Sequence, residues 1–169
     1  GETYFSFVDI AVGVPALAAN QIYAGSPQPL YGIVWDTSMS HGNIMNADNH
    51  NRLDKEIEVA VAWADGLPKG FSIKLLSFSH ELKVVLDDIT SSEALEHALQ
   101  NLTYCGATDA TLLSGLNDHG AHVKYWVVAT DGVSTCGADC TFPSTLPCAP
   151  CFTISASAVT NGPVLKRLA

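Results

Sequence analysis

The chain of 169 residues carries 17 acidic side chains against eight Lys and Arg, for a formal net charge of -9. Length and a 47% hydrophobic content fit one folded domain with a substantial core, and only 15% of residues are charged. The acidic balance argues against nucleic acid or an anionic membrane as partner, since both reward basic residues. The longest apolar stretch, residues 10–19, is too short to cross a bilayer and is broken by Gly13 and Pro15.

Residues 4–12 are aromatic and β-branched and predict a strand. Residues 16–29 are small, polar and punctuated by Pro and Gly, as a connecting segment would be. The run Tyr31-Gly32-Ile33-Val34-Trp35 is almost wholly apolar, the pattern of a strand buried on both faces of a parallel sheet, and it ends in Asp36. Residues 41–51 read as a polar loop. A helix is predicted over residues 52–64, where Leu53, Ile57, Val61 and Ala64 share one face and Gly66 and Pro68 follow. Two strands, over 71–79 and 82–86, flank a tight Ser79-His80-Glu81 turn. Thr90-Ser91-Ser92-Glu93 has the form of a capping box opening a helix over 94–101. A Gly-containing turn over 104–109 leads to a short helix from Ala110 to about Leu116. Residues 123–130 form a central strand, again closed by a carboxylate, Asp131. A further strand is predicted over 151–159, and Pro163 suits the first position of a final helix.

Strands alternating with helices make this an α/β chain with a mainly parallel sheet. Asp36 and Asp131 then lie at the same carboxyl edge, where open α/β folds bind ligands. Three loops converge there: Asp36-Thr37-Ser38-Met39-Ser40, Gly106-Ala107-Thr108-Asp109, and Thr130-Asp131-Gly132. Carboxylates and hydroxyls are hard oxygen donors of the kind that hold Mg2+.

In order and placement these loops resemble the metal-ion-dependent adhesion site of von Willebrand factor type A domains. The likeness runs from Tyr31 to the end of the chain. It implies a Rossmann-like open sheet with helices on both faces over residues 31–169, after an N-terminal strand and linker at 1–30. It further implies that Ser38 and Ser40 bind the metal through their hydroxyls and that Thr108 binds directly or through water. Asp36 and Asp131 would touch the ion or act through its waters. The implied cation is Mg2+, or Mn2+ or Ca2+ in its place. A cation held mostly by neutral ligands stays under-neutralised, so a carboxylate from a protein partner can complete it. The implied function is adhesion-type binding by an extracellular or cell-surface module, not an enzyme, within a larger multidomain chain. The alternative is a structural or assembly domain whose metal site is vestigial. Asp109 is assigned to helix capping, and Met39 stands where the family commonly has a small residue. Residues 4–8 and the linker after them resemble the junction that follows an inter-alpha-trypsin-inhibitor-type domain in bacterial surface proteins. Family members continue with another strand and helix beyond the position of Ala169, which implies either a sheet truncated on that side or an open edge covered by the N-terminal strand.

Cys136, Cys140, Cys148 and Cys151 cluster after Asp131. Two disulfides, in any of three pairings, are preferred over a four-thiolate zinc site because the central spacing is short for a zinc ribbon and adhesion-type domains work outside the cytoplasm. Cys105 is expected to be a buried free thiol. The six histidines form no coherent pattern, and Asn101-Leu102-Thr103 fits a glycosylation sequon.

Overall fold

A computed structural model describes residues 28–42, 47–136, 145–157 and 160–169, with the backbone alone for 47–51. The expected strand at 4–12, the junction it suggested and Cys140 lie outside the described residues.

Five strands form one sheet in the order β3-β2-β1-β4-β5. They are β1 (Leu30–Asp36), β2 (Ser72–Phe78), β3 (Leu82–Ile89), β4 (Val123–Ala129) and β5 (Cys151–Ile154). All neighbouring pairs are parallel except β2 and β3. The antiparallel pair follows from the short turn between them, because a parallel return needs a long crossover. Connections through helices α1 (Ala47–Asp65) and α2 (Ser92–Gln100) supply such crossovers elsewhere.

The central strand β1 explains its own composition. Tyr31, Ile33 and Trp35 point to one face, where Ile57, Ala60 and Ala64 of α1 and Leu95 and Leu99 of α2 cover them. Val34 points to the other face with Leu76, Phe78, Trp126 and Val128. That second face is closed by Leu113 and Leu116 of a short helical segment and by Val164 and Leu168 of α4 (Gly162–Leu168). A strand covered on both sides has no polar face to present, so alternation disappears.

Several boundaries differ from those read in the sequence. Helix α1 begins at Ala47, five residues before the expected start. Its first turn holds Asp48 and no apolar stripe, so periodicity is silent there although a carboxylate suits a helix N-terminus. The cap of α2 is Ser91, whose hydroxyl accepts from Ala94 N, one residue later than a box opening at Thr90 requires. Strand β3 runs on to Ile89. The segment from Ala110 is a 3-10 helix to Gly115 that continues as α3 (Leu116–His119). Strand β5 stops at Ile154 because Ala156 N leaves the sheet ladder and donates to a helix side chain. Pro163 is the second residue of α4, after the Asn161 cap and Gly162.

Candidate metal centre

Because β1, β2 and β4 are parallel, their carboxyl ends share one edge of the sheet, and the three candidate loops leave from or pack against it. In the first loop Asp36 is fully buried, and its Oδ1 accepts from Ser38 N at 2.9 Å. The Ser38 and Ser40 hydroxyls lie 3.1 Å apart. Ser38 is buried and Ser40 exposed, while Met39 between them is 63% exposed.

The loops are tied to one another in a closed ring. Met39 N donates to Gly106 O at 3.0 Å, which joins the first loop to the second. Thr135 N and Ser134 Oγ donate to Thr108 O, and Thr108 N donates to Thr135 Oγ1, which joins the second to the third. Thr130 Oγ1 donates to Asp36 Oδ2 at 2.8 Å and closes the ring. Gly106 and Gly132 turn two of the loops with φ of 76° and 72°, a region where a Cβ strains the backbone.

Asp131 is 8% exposed and its Oδ1 accepts from Val133 N. Burial, and then the nearby Asp36 carboxylate, push its pKa up, while the Val133 N–H opposes them. Thr108 Oγ1 is buried with no hydrogen-bond partner. A buried hydroxyl without a partner is costly, and two crowded, desolvated carboxylates favour a positive neighbour. The residues present therefore fit a hard divalent cation: the Ser38, Ser40 and Thr108 hydroxyls and the Asp36 and Asp131 carboxylates are oxygen donors gathered at one edge. Asp109 stands apart, accepting from Thr111 N as the cap of the 3-10 helix.

Beneath the first loop lies a group that sequence reading missed. His41 and Glu56 are both fully buried at the side chain, with His41 Nε2 2.8 Å from Glu56 Oε2. The distance is that of an ion pair, and opposite charges attract strongly at such a buried site. Burial works to lower the His41 pKa, but the Glu56 carboxylate prevails and holds it above the ordinary histidine value. Arg52 reaches the same place, its guanidinium donating to His41 O and to Ser157 Oγ. One signal was available: Glu56 stands four residues before Ala60 and eight before Ala64, in line with the buried stripe of α1. A carboxylate in that line has to meet a partner inside the fold.

Of the four clustered cysteines, Cys136, Cys148 and Cys151 are described and Cys140 is not. Cys105, Cys136, Cys148 and Cys151 are free thiols, and no disulfide forms among the described residues. Nor is there, among them, any group of three or more His, Cys, Asp or Glu side chains placed to hold a metal. Cys105 is exposed and not buried: it lies outside β1–β5 and the helices, in the turn before Gly106, and only its backbone is tied down, by Cys105 N donating to Thr37 O. Cys151 is the buried thiol, at the start of β5, and burial pushes its pKa to about 11.

The architecture is similar to that of von Willebrand factor type A domains in solved structures. VWA2, a paralogue of ArnB from Sulfolobus acidocaldarius, gives a TM-score of 0.62 at 16% identity, over 85% of this chain and 39% of that one. A von Willebrand factor type A protein from Catenulispora acidiphila gives 0.56 at 17% identity, over 85% of this chain and 37% of that one. Proximal thread matrix protein 1 of the mussel byssus, in a form with a zinc-occupied adhesion motif, gives 0.59 at 15% identity, over 84% and 41%. The chain thus spans about two fifths of the length of these proteins. No family model matches the sequence, and no curated protein matches it significantly. At these identities the likeness is one of fold.

Proposed function

We propose that this domain is a metal-dependent binding module that captures an acidic group of a protein partner through a divalent cation. The observation that carries the reading is the closed ring of three loops, which holds an unpartnered buried Thr108 hydroxyl and two buried carboxylates. Ser38, Ser40 and Thr108 would hold the ion, with Asp36 and Asp131 balancing its charge directly or through water. Bound there, the cation supplies a Lewis-acidic position that an incoming carboxylate can fill. The role is recognition and not turnover. That the mussel byssus protein of similar fold has a zinc-occupied motif supports a divalent cation in this chain. The preferred ion is Mg2+, with Mn2+ or Ca2+ able to replace it. The proposed setting is a larger extracellular or cell-surface protein.

Calorimetric titration of Mg2+ or Mn2+ into the wild type and Asp36→Ala tests the reading. The wild type is expected to bind one ion and the variant none. Equal affinity in the two would overturn it. Partner binding that survives excess chelator would instead favour the structural or assembly role with a vestigial site.

A further inference from the structure

Packing alone does not account for Glu56 and Arg52. Helix α1 is already fixed on the sheet by Ile57, Ala60 and Ala64, all buried. A buried carboxylate beside a buried imidazole costs several kcal/mol of desolvation, and an apolar residue of similar size often serves stability as well or better. The position of the two side chains suggests what they do instead. Each reaches in two directions. Glu56 contacts His41 Nε2 through Oε2 and accepts Ala156 N through Oε1 at 2.8 Å. Arg52 donates to His41 O and, at 3.2 Å, to Ser157 Oγ.

His41 in turn is held between two rings, edge-on to Trp35 at 6.3 Å and stacked with Tyr104 at 6.4 Å. His41 N donates to Ser38 Oγ at 3.4 Å, and Ser38 Oγ lies 3.1 Å from Ser40 Oγ. A chain of contacts therefore runs from the segment after β5, through two side chains of α1, to the hydroxyl pair proposed to hold the metal.

We infer that Glu56 and Arg52 are positioning residues for the metal loop, clamping His41, and with it Ser38 and Ser40, against residues 156–157. The inference rests on the metal-binding reading. Such a clamp lowers the reorganisation needed when an ion arrives, because the hydroxyls are already oriented. It also makes the segment after β5 a fourth participant in the site, although no residue of it was a candidate ligand.

The test is Mn2+ binding, read by the electron paramagnetic resonance of free and bound ion well below the melting temperature. Glu56→Gln keeps an oxygen for Ala156 N but loses the carboxylate charge toward His41. Arg52→Met keeps the stem and loses both donors. Both variants are expected to weaken Mn2+ affinity by about ten- to a hundredfold, the usual effect of removing a group that orients a ligand. Leu95→Ala, a core truncation on α2, is expected to lower the melting temperature and leave Mn2+ affinity as in the wild type. Should Glu56→Gln fail to fold, Arg52→Met alone decides. Wild-type affinity in the folded variants overturns the clamp and leaves the metal reading standing. A wild type that binds no Mn2+ overturns both.

Discussion

Replacing Thr130 with Val removes one hydroxyl and keeps the shape, which makes it a direct test of the ring that joins the loops. Thr130 is 2% exposed, its Oγ1 donates to Asp36 Oδ2 at 2.8 Å, and the same oxygen accepts from Gly132 N at 3.1 Å. A hydrogen bond to a charged group is worth about 1.5–3 kcal/mol, and an orphaned buried N–H costs about 1–3 kcal/mol. Water entering at the open edge recovers part of the second loss, so the expected destabilisation is about 3 kcal/mol in chelator. For a domain of this size that is a fall of about 6–12 °C in melting temperature. Differential scanning calorimetry in EDTA measures it, with Thr130→Ser as the control that keeps the hydroxyl and loses only a methyl. If the Val variant melts no lower than the Ser variant, the Thr130–Asp36 contact does not hold the loops together. Mn2+ affinity of the Val variant should fall about tenfold as Asp36 loses its orientation.

Gly32→Ala would place a Cβ 2.0 Å from Trp126 Cε3, which the rigid central strand cannot relieve; urea unfolding should show a loss of about 3 kcal/mol or more. Combining it with Trp126→Leu should cost less than the two single losses added, and simple additivity would argue against the clash. Ser91→Ala should destabilise by about 1 kcal/mol through loss of the α2 cap, seen as a drop of about 2–4 °C in melting temperature. With its pKa near 11, Cys151 is about one part in a thousand thiolate at pH 8. Iodoacetamide followed by peptide mass mapping should therefore label exposed Cys105, Cys136 and Cys148 well before Cys151. Unfolding frees the Cys151 thiol to ionise at an ordinary pKa near 9. Its contribution to stability is thus present below about pH 9 and lost as pH rises toward about 11.

Much of the fold was legible because its signals are local. The unbroken apolar run at 31–35 marks a strand buried on both faces, and the order of strands and helices leads to a parallel sheet. The positions of Asp36, the last residue of β1, and Asp131, two residues beyond β4, then follow from sheet direction. The tight Ser79-His80-Glu81 turn between two strands was legible too, and the structure shows that it joins an antiparallel pair. Boundaries were less legible. The first turn of α1 lacks an apolar stripe, and β5 ends early because Ala156 N finds Glu56 in place of a neighbouring strand, a partner one hundred residues away.

The sequence by itself thus determined the sheet, the edge at which the three loops meet and the oxygen-donor character of that edge. These depend on side-chain type and on periodicities of two and 3.6 residues. Only the tertiary structure decided how the loops are joined, through Thr130 to Asp36 and Met39 to Gly106, and what lies beneath them. Arg52 and Glu56 share a helix face at i, i+4, but no spacing ties them to His41, and the contacts of 41 with 56 and of 52 with 157 exist only after α1 docks on the sheet. The same holds for the thiols. Spacing grouped four cysteines, and only the fold shows that Cys136 and Cys148 are exposed while Cys151 is buried.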